Sequence, residues 1–396
     1  MPLIFKKILL SVVSLTILVG VCEVSSRFYE RKEIRDFPPA PDNAEGFGDF
    51  KGLLRWVGDL GRVQGYIVPE GGVDYLPYTI TGLKPSFPFH IKNVDYRTNA
   101  QGFRHEGEIV MPKPAGAFRI FLLGGSTVQG IFNHQWTISY YLDRALKANH
   151  PNVEVINAGV VGYRSQSEMA LLTTKILDMD PDLVVVLDGR NDLYYSILPT
   201  WRNREGADYL AEKTILDNLV NYPSEVQISK YAAKVFLKRS SLATRIINLT
   251  HRSGASSTYP PDAKIKDEAV KTYLGNLAIM KAILESRGIR GILAFQPTLG
   301  YCKDDTSDYE KSVISYLVEV EKSNWLDEVR SKWKEVGERV DGIPDSSLVE
   351  THDLTCLFSD MKETAYIDSV HYVPKSSQVL GERFAQIVES QFLTRK

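Results

Sequence analysis

The chain has 396 residues, of which 43% are hydrophobic, and this composition predicts a folded globular protein rather than a disordered one. Its 47 basic and 49 acidic residues give a formal net charge of -2, which excludes the strongly basic character of nucleic-acid-binding proteins. The three cysteines form no Cys-x-x-Cys pair and no His-Glu-x-x-His motif is present, so neither a metal site nor a cofactor is expected.

Residues 1–24 are predicted to form an N-terminal signal anchor. Lys6 and Lys7 precede an uncharged, mostly apolar stretch over residues 8–22. A helix of that length spans about 22 Å, whereas the hydrocarbon core of a bilayer is roughly 30 Å thick, so a cleaved signal peptide also fits. Snorkelling lysines can lengthen the span. We therefore predict a single-pass protein of the cytoplasmic membrane whose main domain lies outside, with a secreted protein as the alternative.

Two segments separate the anchor from the main domain. Residues 25–50 are charged and include the prolines of FPPAPDN, which predicts a stalk or linker. Residues 51–116 contain short β-type runs broken by glycine and proline. We predict that this second segment is an N-terminal extension that packs on the main domain.

The main domain is organised around FRIFLLGGSTVQG, residues 118–130. A short apolar run ends there in two glycines and Ser126, which predicts a buried strand followed by a sharp turn. Ligands bind at the carboxyl edge of parallel α/β sheets, so Ser126 is a candidate nucleophile. A serine hydroxyl is unreactive at neutral pH unless a base removes its proton, and a histidine elsewhere in the chain must supply that base.

Two further blocks also follow apolar runs. INAGVVGYRSQSE places Gly162 in a strand-to-helix turn, and VVVLDGRNDLYYS presents Asn191 at the end of a predicted strand. Asp188 and Asp192 flank this asparagine, and we predict that they brace its turn rather than take part in chemistry.

The alternation of strands and helices breaks between residues 195 and 261. This segment is amphipathic, carries aromatic residues and directly follows the GRND block. It predicts a helical insertion that lies over the cleft as a lid or acyl-binding wall. An insertion that packs elsewhere on the domain fits the sequence equally well.

A fourth apolar run, GILAFQPTLG, leads to the same predicted edge. Gln296 at its end is a candidate for the substrate pocket, and positioning of the backbone is the alternative. Cys302 and Cys356 are expected in loops at that edge, and thiols outside the membrane tend to pair. We predict a disulfide between them, with two unpaired buried thiols as the alternative.

The sequence YIDSVHYVP places Asp368 three residues before His371. This spacing lets the carboxylate meet the imidazole Nδ1–H within one turn and leaves Nε2 free for a serine. Asp and His three residues apart also occur by chance, so the pair gains weight only from the other blocks.

Together the four blocks resemble the SGNH hydrolases, also called the GDSL esterase and lipase family. GGST, NAGVVG, GRND and DSVH match the family's serine, glycine, asparagine and Asp-x-x-His in family order, over residues 117–396. The family's name motif has aspartate before the serine and leucine after it, whereas this chain has Gly125 and Thr127. Membrane-anchored bacterial members look similar at these positions, so the departure concerns the subfamily more than the chemistry.

The resemblance implies a catalytic triad and an oxyanion hole. Ser126 would be the nucleophile, His371 the general base and Asp368 the residue that orients it. The backbone N–H groups of Ser126 and Gly162 and the side-chain amide of Asn191 would stabilise the oxyanion.

A smaller resemblance lies ahead of the serine block. VDYRTNAQGFRHEGE is similar to an Asn-x-x-Gly-Phe-Arg element that often precedes this block in anchored bacterial SGNH proteins. Asn99 and Arg104 are therefore candidates for shaping the substrate pocket, although a structural role is the preferred interpretation.

The resemblance and the periodicity together predict an α/β fold with a three-layer, doubly wound parallel sheet of the flavodoxin-like kind. The predicted strands are residues 118–123, 153–157, 183–188 and 290–295. The predicted helices are residues 135–149, 165–178, 265–287, 306–336 and 375–393.

Three functions are compatible with these motifs. The first is a serine ester hydrolase that removes an acyl group, such as acetyl, from a glycan or lipid outside the cytoplasmic membrane. The second is an O-acyltransferase of envelope polysaccharide, which would use the same triad but deliver the acyl group to a sugar hydroxyl. The third, a non-catalytic envelope-binding protein, is disfavoured because all four blocks keep their reactive residues. The sequence does not indicate the oligomeric state.

Overall fold

The computed structural model describes residues 21–22, 24–25, 72–76, 78–91, 94–130, 133–197, 262–321 and 325–393. The predicted anchor, stalk and helical insertion lie almost entirely outside these residues, as does the beginning of the N-terminal extension. Among the described residues, no helix is both long and apolar enough to cross a bilayer. The described residues from 72 onward belong to one compact unit.

Two antiparallel hairpins precede the central sheet. Strand β1 (Val73–Leu76) pairs with β2 (Ile80–Leu83), and β3 (Pro88–Ile91) pairs with β4 (Val94–Arg97). Short strands in this segment were expected from its glycines and prolines. Beyond the hairpins, Lys113 Nζ donates a hydrogen bond to Asp182 Oδ2 at 2.7 Å, so this part of the chain packs on the sheet domain.

Five parallel strands form the central sheet. They are β5 (Phe118–Gly124), β6 (Val153–Asn157), β7 (Leu183–Asp188), β8 (Arg290–Phe295) and β9 (Val349–Asp353). Their spatial order is β6-β5-β7-β8-β9, so the connections run one way from β5 to β6 and then the other way through β7 to β9. The change of direction creates a switch point between β5 and its neighbours, where a ligand crevice is expected at the carboxyl edge.

Eight α-helices accompany the sheet in the part of the chain that the structure describes. They are α1 (Ser126–Gln129), α2 (Ile138–Lys147), α3 (Ser165–Leu171), α4 (Arg190–Ile197), α5 (Asp262–Ser286), α6 (Asp308–Glu321), α7 (Trp325–Asp341) and α8 (Pro374–Val388). Turns of π-helix extend α3 over Leu172–Ile176 and α8 over Glu389–Leu393.

Helices cover both faces of the sheet because its central strands are apolar on both sides. In β7 every residue from Leu183 to Asp188 is buried. One core cluster joins Phe121 and Val184 to Tyr273 of α5 and Trp333 of α7. Side chains alternate between faces along a strand, and α2 and α8 pack against each other. The prediction of a three-layer parallel α/β fold is therefore confirmed.

The structure differs from the sequence-based expectation in two elements. The single helix predicted over residues 306–336 is two helices, α6 and α7. Strand β9 was not predicted, because VETHD mixes polar and apolar residues and carries no apolar run. This composition suits its place at the edge of the sheet, where it pairs with β8 alone.

Candidate active site

The chain turns sharply between β5 and α1, and this turn presents Ser126. Gly125 caps α1 with an extended backbone (φ −81°, ψ −150°), and Ser126 is the first residue of the helix. A Cβ atom on Gly125 would lie 2.8 Å from Asn191 Nδ2 and 3.3 Å from the carbonyl oxygen of Tyr163. Glycine at position 125 therefore lets the Asn191 amide approach the serine turn closely.

Three side chains predicted from two separate blocks, GGST and DSVH, meet at this turn. His371 Nε2 lies 2.8 Å from Ser126 Oγ, and His371 Nδ1 lies 2.6 Å from Asp368 Oδ2. Ser126 is 8% exposed and His371 is 7% exposed, so the hydrogen-bonded pair is largely shielded from water. The structure thus joins a serine to a histidine 245 positions away in an arrangement suited to nucleophilic catalysis.

Asp368 is held as a carboxylate. Its Oδ1 accepts hydrogen bonds from the backbone N–H groups of Val370 and His371, both at 2.8 Å. Burial alone would raise the pKa of Asp368, but the charge of His371 and the hydrogen bonds from His371 and Val370 outweigh it. The pKa of this carboxyl is therefore well below its ordinary value.

Several neighbours fix the loop that carries Asp368 and His371. Arg190 Nη2 donates to Ser369 Oγ at 2.9 Å, and Thr298 Oγ1 donates to the Ser369 carbonyl at 3.0 Å. Tyr309 Oη donates to the carbonyl of Ile367 at 2.5 Å. Neither Thr298 nor Tyr309 was identified as a site residue from the sequence, whereas Arg190 belongs to the GRND block.

The predicted oxyanion residues lie around the same turn. Gly162 has a positive φ of 75°, which disfavours any residue with a Cβ atom even though no neighbouring atom occupies that space. Asn191 Nδ2 donates to the carbonyl of Tyr163 at 2.8 Å, which ties the asparagine to the loop that carries Gly162. An amide nitrogen has two hydrogens, so the second can serve a bound oxyanion.

Direct hydrogen bonds connect the Gly162 loop to the serine turn. Val160 N donates to the Gly124 carbonyl at 3.0 Å, and Val161 N donates to Gln129 Oε1 at 2.7 Å. Gln129 is the last residue of α1 and is completely buried. Ser126 and Gly162 therefore belong to one hydrogen-bonded substructure, and the buried Gln129 was not identified from the sequence.

Gln296 does not line an open pocket. Its side chain is 2% exposed; Oε1 accepts from Thr127 Oγ1 at 3.5 Å and Nε2 donates to Tyr372 Oη at 3.4 Å. Its backbone N–H also donates to the Asp188 carbonyl at 3.1 Å. These contacts agree with the alternative, in which Gln296 positions the backbone, while a role in the substrate pocket stays a prediction.

Arg104 is likewise buried and bonded to the protein. Its Nη1 donates to the carbonyl oxygens of Gln129 at 2.6 Å and Gly130 at 2.5 Å, so the guanidinium covers the C-terminus of α1. Asn99 holds the loop that carries Arg104, because its Oδ1 accepts from Phe103 N at 2.9 Å. Both residues support the site, as the preferred structural interpretation held, and neither has the exposure expected of a pocket-lining side chain.

A disulfide joins two loops at the carboxyl edge. Cys302 follows β8, Cys356 follows β9, and their Cα atoms lie 4.9 Å apart. Next to this link, Lys303 Nζ and Glu310 Oε2 form a buried ion pair at 2.7 Å. Glu310 Oε1 accepts from Ala365 N at 2.8 Å. These contacts connect the cysteine loop to the segment that leads to Asp368 and His371.

The aspartates that flank Asn191 do brace its turn. Asp192 Oδ1 accepts from Ser165 Oγ at 2.6 Å, and Asp192 Oδ2 accepts from Ser165 N at 3.1 Å. Asp188 Oδ1 accepts from Tyr273 Oη at 2.9 Å.

Within the described ranges, no group of three or more His, Cys, Asp or Glu side chains is arranged to hold a metal ion.

No family model matches this sequence, and no curated protein matches it. Solved structures that it resembles include an acetyl xylan esterase, at 13% identity and a TM-score of 0.36, over 68% of this chain and 100% of that one. A lipase/acylhydrolase from Enterococcus faecalis shows 15% identity and a TM-score of 0.35, over 69% and 96% of the two chains. A GDSL-like lipase from Bacteroides thetaiotaomicron VPI-5482 shows 12% identity and a TM-score of 0.34, over 69% and 88%.

Proposed function

We propose that this protein is an SGNH-type serine ester hydrolase that removes an acyl group, such as acetyl, from a glycan or lipid outside the cytoplasm. The proposal rests mainly on the continuous hydrogen-bond chain from Ser126 Oγ through His371 to Asp368, with contacts of 2.8 Å and 2.6 Å. These hydrogen-bonded side chains lie at the switch point of a parallel sheet, where substrates bind in this class of fold.

Each member of the chain has a defined task. Ser126 Oγ attacks the ester carbonyl while His371 Nε2 takes its proton. His371 then gives that proton to the leaving alcohol, and an acyl group remains on Ser126. In the second half, water attacks the acyl carbonyl while His371 Nε2 takes its proton. His371 then returns a proton to Ser126 Oγ, and the carboxylic acid is released. Asp368 keeps Nδ1 protonated and stabilises the imidazolium that forms in each half of the reaction.

Negative charge develops on the carbonyl oxygen during both steps. The N–H groups of Ser126 and Gly162 and the Asn191 amide are the proposed donors to this oxygen. Their positions are set before substrate arrives, because the serine turn and the Gly162 loop are hydrogen-bonded to each other. Each such donor contributes about 3 kcal/mol to transition-state stabilisation in related chemistry.

The direct test uses full-length protein and a panel of p-nitrophenyl and sugar acyl esters. We expect hydrolysis by the wild type and covalent labelling of Ser126 by a fluorophosphonate. Ser126→Ala should abolish both. Full esterase activity in the purified Ser126→Ala protein would contradict the proposal.

The same panel separates hydrolysis from acyl transfer when sugar acceptors are added. A hydrolase releases free acid at a rate that acceptors change little. Acyl transfer would instead give acylated sugar at the expense of free acid, with the same dependence on Ser126 and His371.

We also propose that residues 1–24 anchor the protein in the cytoplasmic membrane with the hydrolase domain outside. The support is the order of two lysines followed by an apolar stretch in the sequence. A C-terminal reporter that is active only outside the cytoplasm, together with an intact N-terminus, is the expected result. A mature chain that begins near Arg27 would show cleavage and secretion instead.

A further inference from the structure

Two buried carboxyl groups behind the oxyanion loop have no part in the reaction described above. Glu168 lies on α3 and is completely buried, and Asp188 ends β7 and is 2% exposed. The two carboxyl groups lie close enough to interact, and the charge of Asp188 acts directly on Glu168. Asp188 Oδ1 also accepts from Tyr273 Oη at 2.9 Å.

This contact requires a proton. An ionised carboxylate can only accept hydrogen bonds, so two carboxyls bond to each other only when one is protonated. Among the described residues, no group other than these carboxyls themselves is placed to bond the buried oxygens: Glu168 Oε1, Glu168 Oε2 and Asp188 Oδ2 all lack a hydrogen-bond partner. A proton on Glu168 satisfies one oxygen from each side chain, whereas two adjacent buried charges would be strongly unfavourable.

The surrounding charged and titratable groups also favour protonation. Burial first, and then the negative charge of Asp188, raise the pKa of Glu168 well above its ordinary value, and Asp192 adds to this. Burial raises the pKa of Asp188, while the hydrogen bond from Glu168 partly offsets the effect. Tyr273 faces Asp188 from α5, and Arg164 acts on Asp192 from the segment before α3.

We propose that Glu168 is a positioning residue that keeps its proton at neutral pH and donates it to Asp188, thereby holding the turn that carries Asn191. Asp188 is separated from Asn191 only by Gly189 and Arg190. Glu168 belongs to the helix that follows the Gly162 loop. One proton shared by Glu168 and Asp188 therefore connects the segment that carries Asn191 to the helix that follows the Gly162 loop. The effect on catalysis rests on the proposed function, whereas the location of the proton does not.

The pair should make the protein sensitive to alkaline pH. In the unfolded chain both carboxyls ionise in their ordinary range, whereas the folded pair retains a proton to higher pH. The native state then binds more protons than the unfolded state, so stability falls as pH rises above that ordinary range. Loss of the proton places two charges beside Asp192 and displaces the turn of Asn191.

The experiment compares Glu168→Gln with Glu168→Ala in the full-length protein. Glutamine has the same shape and a permanent N–H donor, so it reproduces the protonated acid. We expect Glu168→Gln to keep kcat within about 2-fold at neutral pH, and its unfolding midpoint to fall less steeply at alkaline pH. Glu168→Ala should lose kcat by about 10- to 100-fold, because small displacements of catalytic groups cost this much.

Glu310→Gln is the matched control, since Glu310 is an equally buried glutamate that instead accepts from Lys303 and Ala365 N. It should lower the unfolding midpoint at every pH and leave the alkaline slope unchanged. An infrared band of a protonated carboxyl at neutral pH should be present in the wild type and absent from Glu168→Gln.

The proposal is overturned if Glu168→Gln has the wild-type alkaline slope, or if it is as damaged at neutral pH as Glu168→Ala. The unfolding and infrared measurements need no substrate. Absence of esterase activity would therefore contradict the proposed function, while the unfolding and infrared measurements would still show whether Glu168 carries the proton.

Discussion

Asn191 is the residue whose contribution can be separated most cleanly from that of the triad. Its amide nitrogen donates to the Tyr163 carbonyl, and its second hydrogen is the one assigned to the oxyanion. Asn191→Ala should therefore lower kcat by about 10²- to 10³-fold and leave Ser126 and His371 in place. Steady-state kinetics with a short acyl ester measures this loss.

Fluorophosphonate labelling supplies the control for Asn191→Ala. The variant should still be labelled at Ser126, although more slowly than the wild type, whereas His371→Ala should not be labelled. Unchanged kcat in Asn191→Ala would remove this side chain from the oxyanion hole.

The short helix α1 depends on a residue from the N-terminal extension. The guanidinium of Arg104 donates to the last carbonyls of α1 and lies 4.7 Å from the centre of the Tyr96 ring. We expect Arg104→Met to lower the free energy of unfolding by about 2 to 3 kcal/mol, because two buried carbonyls lose a charged donor. It should also reduce kcat, because Ser126 begins the same helix.

Arg144→Met is the comparison for Arg104→Met, since Arg144 makes an exposed 3.2 Å contact with Tyr140 Oη. That variant should stay within about 0.5 kcal/mol of the wild type. Equal effects of the two substitutions on urea unfolding and kcat would show that Arg104 does not support α1.

The elements that the sequence predicted well are those with a strong periodic signal. All four predicted strands are confirmed to within one residue at each end, because each carries a run of mainly apolar, buried residues. Strand β9 carries no such run, since an edge strand needs less apolar surface. The boundary between α6 and α7 was not predicted either, because the hydrophobic periodicity across it is the same as that of one continuous helix.

The site residues likewise differ in whether a local sequence signal identified them. Ser126 could be predicted because it follows two glycines at the end of an apolar run, and Asp368 and His371 because their three-residue spacing matches an Asp-x-x-His block. Arg104 and Gln296 were identified as candidates with a structural alternative for each, because sequence does not distinguish a buried support from an exposed ligand. The proposed interaction of Glu168 with Asp188 joins a residue of α3 to the end of β7, and no local sequence pattern encodes such a tertiary contact.

At the scale of the whole molecule, the link between Cys302 and Cys356 ties together segments 54 positions apart. Chain-entropy arguments assign about 4 kcal/mol of stabilisation to closing a loop of that length. The double variant Cys302→Ser/Cys356→Ser should therefore unfold at a lower temperature. Its kcat at low temperature should change little, because neither sulfur contacts the triad.

Cys22→Ser controls for loss of a thiol, because Cys22 takes no part in a disulfide. It should leave the unfolding midpoint unchanged. Retention of the wild-type midpoint by the double cysteine variant in calorimetry would show that the bridge does not stabilise the fold.

The separation of 245 positions between Ser126 and His371 also has a consequence in time. A ribosome that adds about 5 to 20 residues per second needs roughly 12 to 50 seconds to cover that distance. During this interval the nascent polypeptide carries a serine whose hydroxyl has no base to deprotonate it. Reactivity toward esters therefore arises only late in synthesis, because the loop of His371 follows all five strands of the central sheet in the chain.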